Sequence, residues 1–213
     1  MERERLDSTR VKSVFQDIVT DRLILRDLRA ADAEFMLIYR SDPEVSRYQS
    51  WEPASVDQLR SYFEELAGMD PDTPGAWYQL GIALRSSGEL IGDCGIHILD
   101  DPRLAEIGIT VAPRFQSRGY ATEALRAIVG YLFAKLRKHR VSASIDPRNT
   151  DSIRLMQRLG FRQEAHMIGS LWFKGQWADD VVFAMLAREW TGDQQSRGND
   201  PTPLAVRGRV DTS

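Results

Sequence analysis

The stretch RFQSRGYATEALRAIVGYLF, residues 114–133, joins a polar turn to the start of an amphipathic helix. Within it, the run Gln116-Ser117-Arg118-Gly119-Tyr120-Ala121 could hold an anion. Free N–H groups at a helix start, with the helix dipole behind them, favour negative charge. Gly119 permits a positive φ or a close approach of backbone to ligand, and small Ala121 keeps the mouth of the turn open. Arg114 and Arg118 add positive charge. Pro113, just upstream, cannot donate a backbone hydrogen bond and closes the preceding strand. The turn is too poor in glycine for a dinucleotide fingerprint and lacks the Gly-Lys-Ser/Thr ending of a triphosphate loop. Taken alone, it also fits a blander reading in which Gly119 merely completes a loop.

Other chemistry finds little support. Cys94 and His97 stand three apart in GDCGIH, which on a strand puts them on opposite faces, so Cys94 reads as a small core residue. His139 and His166 have no metal-ligand neighbours, and no Cys/His cluster suggests zinc, so no metal is expected. No G-x-S-x-G elbow points to a hydrolase. The net charge of -3 gives no field that would draw nucleic acid or an anionic membrane. The single cysteine rules out an intrachain disulfide and fits a reducing compartment. The charged opening MERERLDSTRVKSVF has no apolar core of a signal peptide, and no apolar run approaches the ~20 residues of a membrane span. A cytoplasmic protein is expected.

The elements that must position the turn follow from periodicity. RLILRDL (22–28) alternates as a strand. Asp32 precedes a short helix with Phe35, Met36, Ile38 and Tyr39. Ser55 and Gln58 form a capping-box signal ahead of Leu59, Tyr62, Phe63 and Leu66. Residues 68–75 are a loop. Residues 77–98 are two strands joined at Ser86-Ser87-Gly88. AEIGITV (105–111) is a strand, and a helix follows over about 120–138 with Ala124, Leu125, Ile128 and Leu132 on one face. VSASI (141–145) is a strand. Asn149 or Thr150 caps a helix that Gly160 closes. Residues 162–189 form two longer strands around KGQW. The crossover 105–111, helix, 141–145 should be right-handed and make those strands parallel. The basic group Lys135, Arg137, Lys138 and Arg140 is read as complementing the helix C-terminus. The expected class is mixed α/β, with residues 1–16 an arm, 17–190 the domain and 191–213 a Gly-, Pro- and Asp-rich tail.

The turn and the segment NTDSIRLMQRLGF (149–161) together resemble the cofactor-binding core of the GNAT N-acetyltransferase superfamily. The matching residues are Gln116, Gly119, Ala121, Asn149, Ser152, Gly160 and Phe161. TDRLILRDLRAADAEFM, DPEVSRYQSWEP, AEIGITV and GQWADDVVFAML resemble the RimJ/RimL-like branch, which includes ribosomal-protein N-terminal acetyltransferases. The resemblance covers about residues 18–189. It implies a single twisted mixed sheet of about six to seven strands flanked by helices. It implies acetyl-CoA as acyl donor, with its pyrophosphate on the 116–121 turn, residues Gln116, Ser117, Arg118, Gly119, Tyr120 and Ala121. The strand before the turn, at Ile109 and Val111, would pair with the pantetheine arm, and Asn149 and Ser152 would lie on the far side.

For the chemistry, the resemblance implies attack by a neutral amine on the thioester. Glu106, on the strand before the turn, is the candidate base, directly or through water; as a blander alternative it is a solvent-facing strand residue. Ser152 is the candidate acid for the leaving thiolate, or else a helix-capping serine. Met156 stands where many members carry a tyrosine acid. Tyr120 after the turn glycine reads as a packing residue, with a competing donor as the alternative, and the Val111 N–H is the candidate oxyanion donor. Of the aromatics Tyr48, Trp51, Trp77 and Trp172, Trp51 beside Pro53 is assigned to the acceptor. The acceptor is a peptide N-terminus or a small amine; Asp42, Glu44, Glu52, Asp70 and Asp72 in the loops favour a cationic one. A homodimer is compatible with the sequence. The alternative is a non-catalytic acyl-CoA-binding module on the same fold.

Overall fold

A computed structural model describes residues 15–192. The proposed 1–16 arm lies almost wholly outside the described residues, as does most of the 191–213 tail. Eight strands form one sheet: β1 (Ile18–Val19), β2 (Leu23–Asp27), β3 (Trp77–Leu84), β4 (Leu90–Ile98), β5 (Leu104–Val111), β6 (Arg140–Ile145), β7 (Arg162–Phe173) and β8 (Gln176–Leu186). Their order across the sheet is β1-β2-β3-β4-β5-β6-β8-β7. The strand beyond the expected number is the two-residue β1, too short to show a period of its own. Among the paired strands of the described residues, only β5–β6 is parallel, as the crossover between them requires.

Among the described residues five α-helices accompany the sheet: α1 (Ala33–Arg40), α2 (Pro43–Ser46), α3 (Val56–Leu66), α4 (Tyr120–Ala134) and α5 (Thr150–Leu159). Three of these starts carry a side-chain cap. Ser55 Oγ accepts from Gln58 N at 3.1 Å, and Gln58 Oε1 accepts from Ala54 N at 2.7 Å, so the capping signal forms one residue further out than the ideal box. Asn149, not Thr150, caps α5, and Gly160 closes it at φ 88. The short α2, begun by Asp42 and Pro43, has too few residues for a periodic signal.

The core runs along both sides of the middle strands. Leu25, Leu80, Ile82, Ile96, Leu125, Ile128, Val141 and Phe183 are all buried. Cys94 is buried among them, and burial pushes its thiol pKa up.

The basic cluster after α4 differs from expectation. The helix stops at Ala134, before all four cations. Lys138 is buried, pairing with Asp72 and donating to Pro102 O at 2.6 Å. Arg140 lies in β6 and pairs with Glu164 at 2.6 Å. Lys138 and Arg140 thus tie loops and strands together, and of the four only Lys135, the C-cap of α4, stands at the helix end; the chain turns away beyond it through Arg137 at φ 55.

Candidate active site

The parallel pair β5–β6 is matched at Leu104↔Arg140, Ala105↔Val141 and Glu106↔Ser142, and pairing ends there. β6 continues to Ile145 against β8, while β5 continues to Val111 against β4. The two strands therefore part after Glu106 and leave an opening in the sheet. Ala112 N–H donates to Ile91 O of β4 at 2.9 Å. By the two-residue alternation of a strand, the N–H groups of Ile109 and Val111 point the other way, into the opening.

The turn after β5 closes one end of this opening. Gln116 Nε2 donates to Val111 O at 2.8 Å and braces the turn against the strand. Ser117 at φ 59 and Gly119 at φ 81 are both left-handed, which swings successive amides towards one side. Among the described residues, the N–H groups of residues 117–122 make no hydrogen bond within the protein, the first helical bond being Glu123 N to Gly119 O at 3.1 Å. Six consecutive unpaired amides at the start of a 15-residue helix form a strong anion site.

A cleft of about 770 Å³ lies over the turn. It gathers Ile109, Val111, Gln116, Ser117, Gly119, Tyr120, Ala121, Asn149 and Ser152 in one lining. Arg118 is not part of it. Its carbonyl accepts from Arg22 Nη1 at 3.0 Å, and its guanidinium sits 5.9 Å from the Phe115 ring. Asn149 Oδ1 accepts from Ser152 N at 3.2 Å and so does the capping at α5. The blander reading of Ser152 as the capping residue thus fails, and the serine remains in the cleft wall. Met156 is buried.

A second cleft of about 300 Å³ shares Gln49, Ile109 and Thr110 with the first. Trp51 and Trp77 line it, Tyr48 lines the larger one, and Trp172 lies outside both, edge-on to Trp177 at 5.3 Å. Glu106 lines neither cleft. The strand register puts it in the row Trp77–His97–Glu106–Ser142, one step beyond the row Gln79–Gly95–Gly108 that floors the second cleft. Its carboxylate faces His97 Nδ1 at 4.0 Å, with its side chain 28% exposed. Burial pushes the Glu106 carboxyl above its ordinary value, His97 draws it down, and Asp180 adds to the rise. It is thus half-buried, not the fully solvent-facing residue of the blander reading.

Two features escaped sequence reasoning. Arg22, nearly a hundred residues upstream, clamps the turn: it holds Arg118 O, pairs with Glu123 at 2.6 Å and lies 4.6 Å from the Tyr120 ring centroid. Asp93 is fully buried and accepts from Tyr39 OH, Arg40 and Gln79 Nε2, a network beneath the second cleft. No local spacing signals either one.

A family model described as an acetyltransferase (GNAT) domain matches residues 22–162. The chain belongs to the GNAT acetyltransferase family. It is 32% identical to the uncharacterized N-acetyltransferase p20 of Bacillus licheniformis, over 83% of this chain and 99% of that protein. It is 27% identical to the ribosomal protein uS5-alanine N-acetyltransferase of Escherichia coli, over 82% of this chain and 92% of that one. A GNAT-family acetyltransferase structure from Bacillus anthracis superposes with a TM-score of 0.73 at 26% identity, covering 82% of this chain and all of that one. This GNAT chain is an N-acetyltransferase, of a family that uses acetyl-CoA, and the expected RimJ-like branch is among its relatives. Among the described residues no helix is long and apolar enough to cross a membrane, and no cluster of His, Cys, Asp and Glu could hold a metal.

Proposed function

We propose that acetyl-CoA lies in the larger cleft and passes its acetyl group to a primary amine entering through the smaller one, within the unit formed by residues 17–190. The observation that carries this reading is the run of unpaired amides at 117–122, at one end of the gap between β5 and β6. A pyrophosphate that is held and not cleaved needs amides more than a catalytic lysine. The free edge of β5 at Ile109 and Val111 suits a pantetheine arm, whose amide groups resemble a peptide strand. Arg158, in the same wall, adds positive charge for further phosphate.

The two clefts meet at Ile109 and Thr110, so thioester and amine come together there. The amine nitrogen attacks the thioester carbonyl carbon; the N–C bond forms and the C–S bond breaks. Val111 N–H receives the developing oxyanion. Glu106 takes a proton from the ammonium through a water, as its place one row from the cleft floor suggests. The nitrogen loses its second proton to solvent water as the intermediate collapses, and water in turn resupplies the proton that Ser152 gives up. Ser152 Oγ–H protonates the leaving thiolate and is reprotonated in turn, so one proton is released per turnover. An α-amine, with a reference pKa of about 7.7–8.0 against about 10.4 for lysine, needs only modest help from such a base.

Thiol release from acetyl-CoA, measured against peptides, polyamines and aminoglycosides, tests this. Thiol that appears only with an amine supports the reading. CoA binding with no amine-dependent thiol release would leave a non-catalytic binding module.

A further inference from the structure

We propose that the acceptor is a primary monoamine joined to a flat aromatic or apolar body, which seats among Trp51, Tyr62 and Trp77 over Gly108. This rests on reading the smaller cleft as the acceptor site. The walls are aromatic. Trp51 and Tyr62 have ring centroids 5.2 Å apart at 51°, and Trp77 stacks on His97 at 4.9 Å and 14°. Trp77 lies across the strand because residue 95 is glycine: a Cβ there would come within 2.8 Å of the Trp77 ring. The next glycine on the floor is different. A Cβ at Gly108 would meet no heavy atom within 4 Å, so the space above it is the open volume of the cleft. A 300 Å³ space with rings on its sides is sized for one aromatic group.

The charge in this cleft separates the substrate classes. Its lining contains one charged residue, Arg40, whose guanidinium is paired with Asp93 and lies 4.8 Å from the Trp51 ring centroid. That wall is a neutral pair and gives a polycation nothing to bind. The five loop carboxylates that favoured a cationic acceptor in sequence are all engaged elsewhere. Asp42 and Asp70 accept the backbone N–H groups of Glu44 and Asp72, each at 2.9 Å. Glu44 pairs with Arg47, Glu52 with Lys174, and Asp72 with Lys138. None lines the smaller cleft. Two carboxylates flank the floor on the same face: Asp93, whose charge Arg40 already offsets, and Glu106, which is left for the ammonium. One carboxylate beside an aromatic box matches one ammonium on an aromatic or apolar body.

The test compares phenethylamine, tryptamine, a dipeptide amide beginning with phenylalanine, spermine and kanamycin. Two readouts are taken on the full chain: kcat/KM for acetyl transfer, and calorimetric binding of each amine to CoA-saturated protein. The aromatic monoamines should exceed spermine and kanamycin at least tenfold in both. Preference for the dipeptide amide over phenethylamine places the aromatic amine on a peptide; the reverse places it on a small molecule. Gly108→Val, which fills the open floor, should weaken phenethylamine binding at least tenfold with CoA affinity within twofold of wild type. Preference for spermine or kanamycin overturns the proposal, as does an unchanged phenethylamine affinity in Gly108→Val. Tight binding of phenethylamine without any acetyl transfer supports the box and contradicts only the chemistry of the preceding section.

Discussion

Arg22 donates from Nη1 to the carbonyl oxygen of Arg118 at 3.0 Å, across 96 positions of sequence. The same guanidinium pairs with Glu123 on the first turn of α4, and Glu123 also accepts from Thr20 Oγ1 at 2.6 Å. The start of the sheet thereby grips both sides of the anion turn: the peptide before Gly119 and the helix after it. The Glu123 carboxyl is held below its ordinary value by these partners, against a desolvation effect that would raise it. A carboxylate at that position also suits the positive end of the helix.

Arg22→Ala should therefore loosen the turn without touching the acceptor. The pair is half exposed, and such pairs contribute at most about 1 kcal/mol, which is about fivefold in affinity. CoA affinity should fall by roughly that factor, with the acceptor KM unchanged. Equal loss in both parameters would mean that Arg22 supports the whole domain instead of the turn.

Asn149 and Ser152 separate capping from catalysis. Asn149→Ala removes the oxygen that accepts from Ser152 N and should cost about 1 kcal/mol of stability, read as a lower midpoint in denaturant. Ser152→Ala should leave that midpoint unchanged and lower kcat about tenfold or more, the contribution typical of a positioned acid. A Ser152→Ala protein that loses stability but not turnover would return the serine to a structural role.

Glu106→Gln should exchange activity for stability. Burial holds the Glu106 carboxyl pKa above its unfolded value. The folded state then binds the proton more tightly than the unfolded state. Its contribution is fully favourable below the unfolded pKa and is lost as pH rises through the raised folded pKa. At neutral pH the ionised carboxylate is a cost, so Glu106→Gln should melt at a slightly higher temperature, and this gain should vanish below the ordinary carboxylate range. Turnover should fall at least about tenfold at neutral pH and less at high pH, where the amine is already neutral. Thermal melts and rate–pH profiles check both halves, and unchanged rates at both pH values would remove Glu106 from the mechanism.

Features governed by near neighbours were legible in the sequence. Gly119, Asn149 and Gly160 are tied to turn and cap geometry, and each stands where local chemistry expects it. The crossover follows from one strand, one helix and one strand in order. What the sequence concealed depends on register between distant segments. His97 faces Glu106 only because β4 and β5 pair antiparallel with those residues opposite. Asp93 gathers Tyr39, Arg40 and Gln79 from α1 and β3. Lys174 at the β7–β8 turn reaches Ser46 O at 2.7 Å and Glu52, so loop charges that looked available are taken. No periodicity within a segment encodes such partners.

Calorimetric titration of CoA into wild type and Gly119→Ala, with ATP as the control ligand, tests the central claim most directly. Residue 119 has φ 81, and a Cβ there would come within 3.4 Å of Arg22 Nη2. A non-glycine residue in this conformation costs about 1–2 kcal/mol, so the amides of 117–122 should be displaced from their common direction. The account predicts CoA binding to wild type, about tenfold weaker binding to Gly119→Ala, and much weaker binding of ATP to both. Binding of ATP but not CoA, or equal CoA affinity in the two proteins, would contradict it.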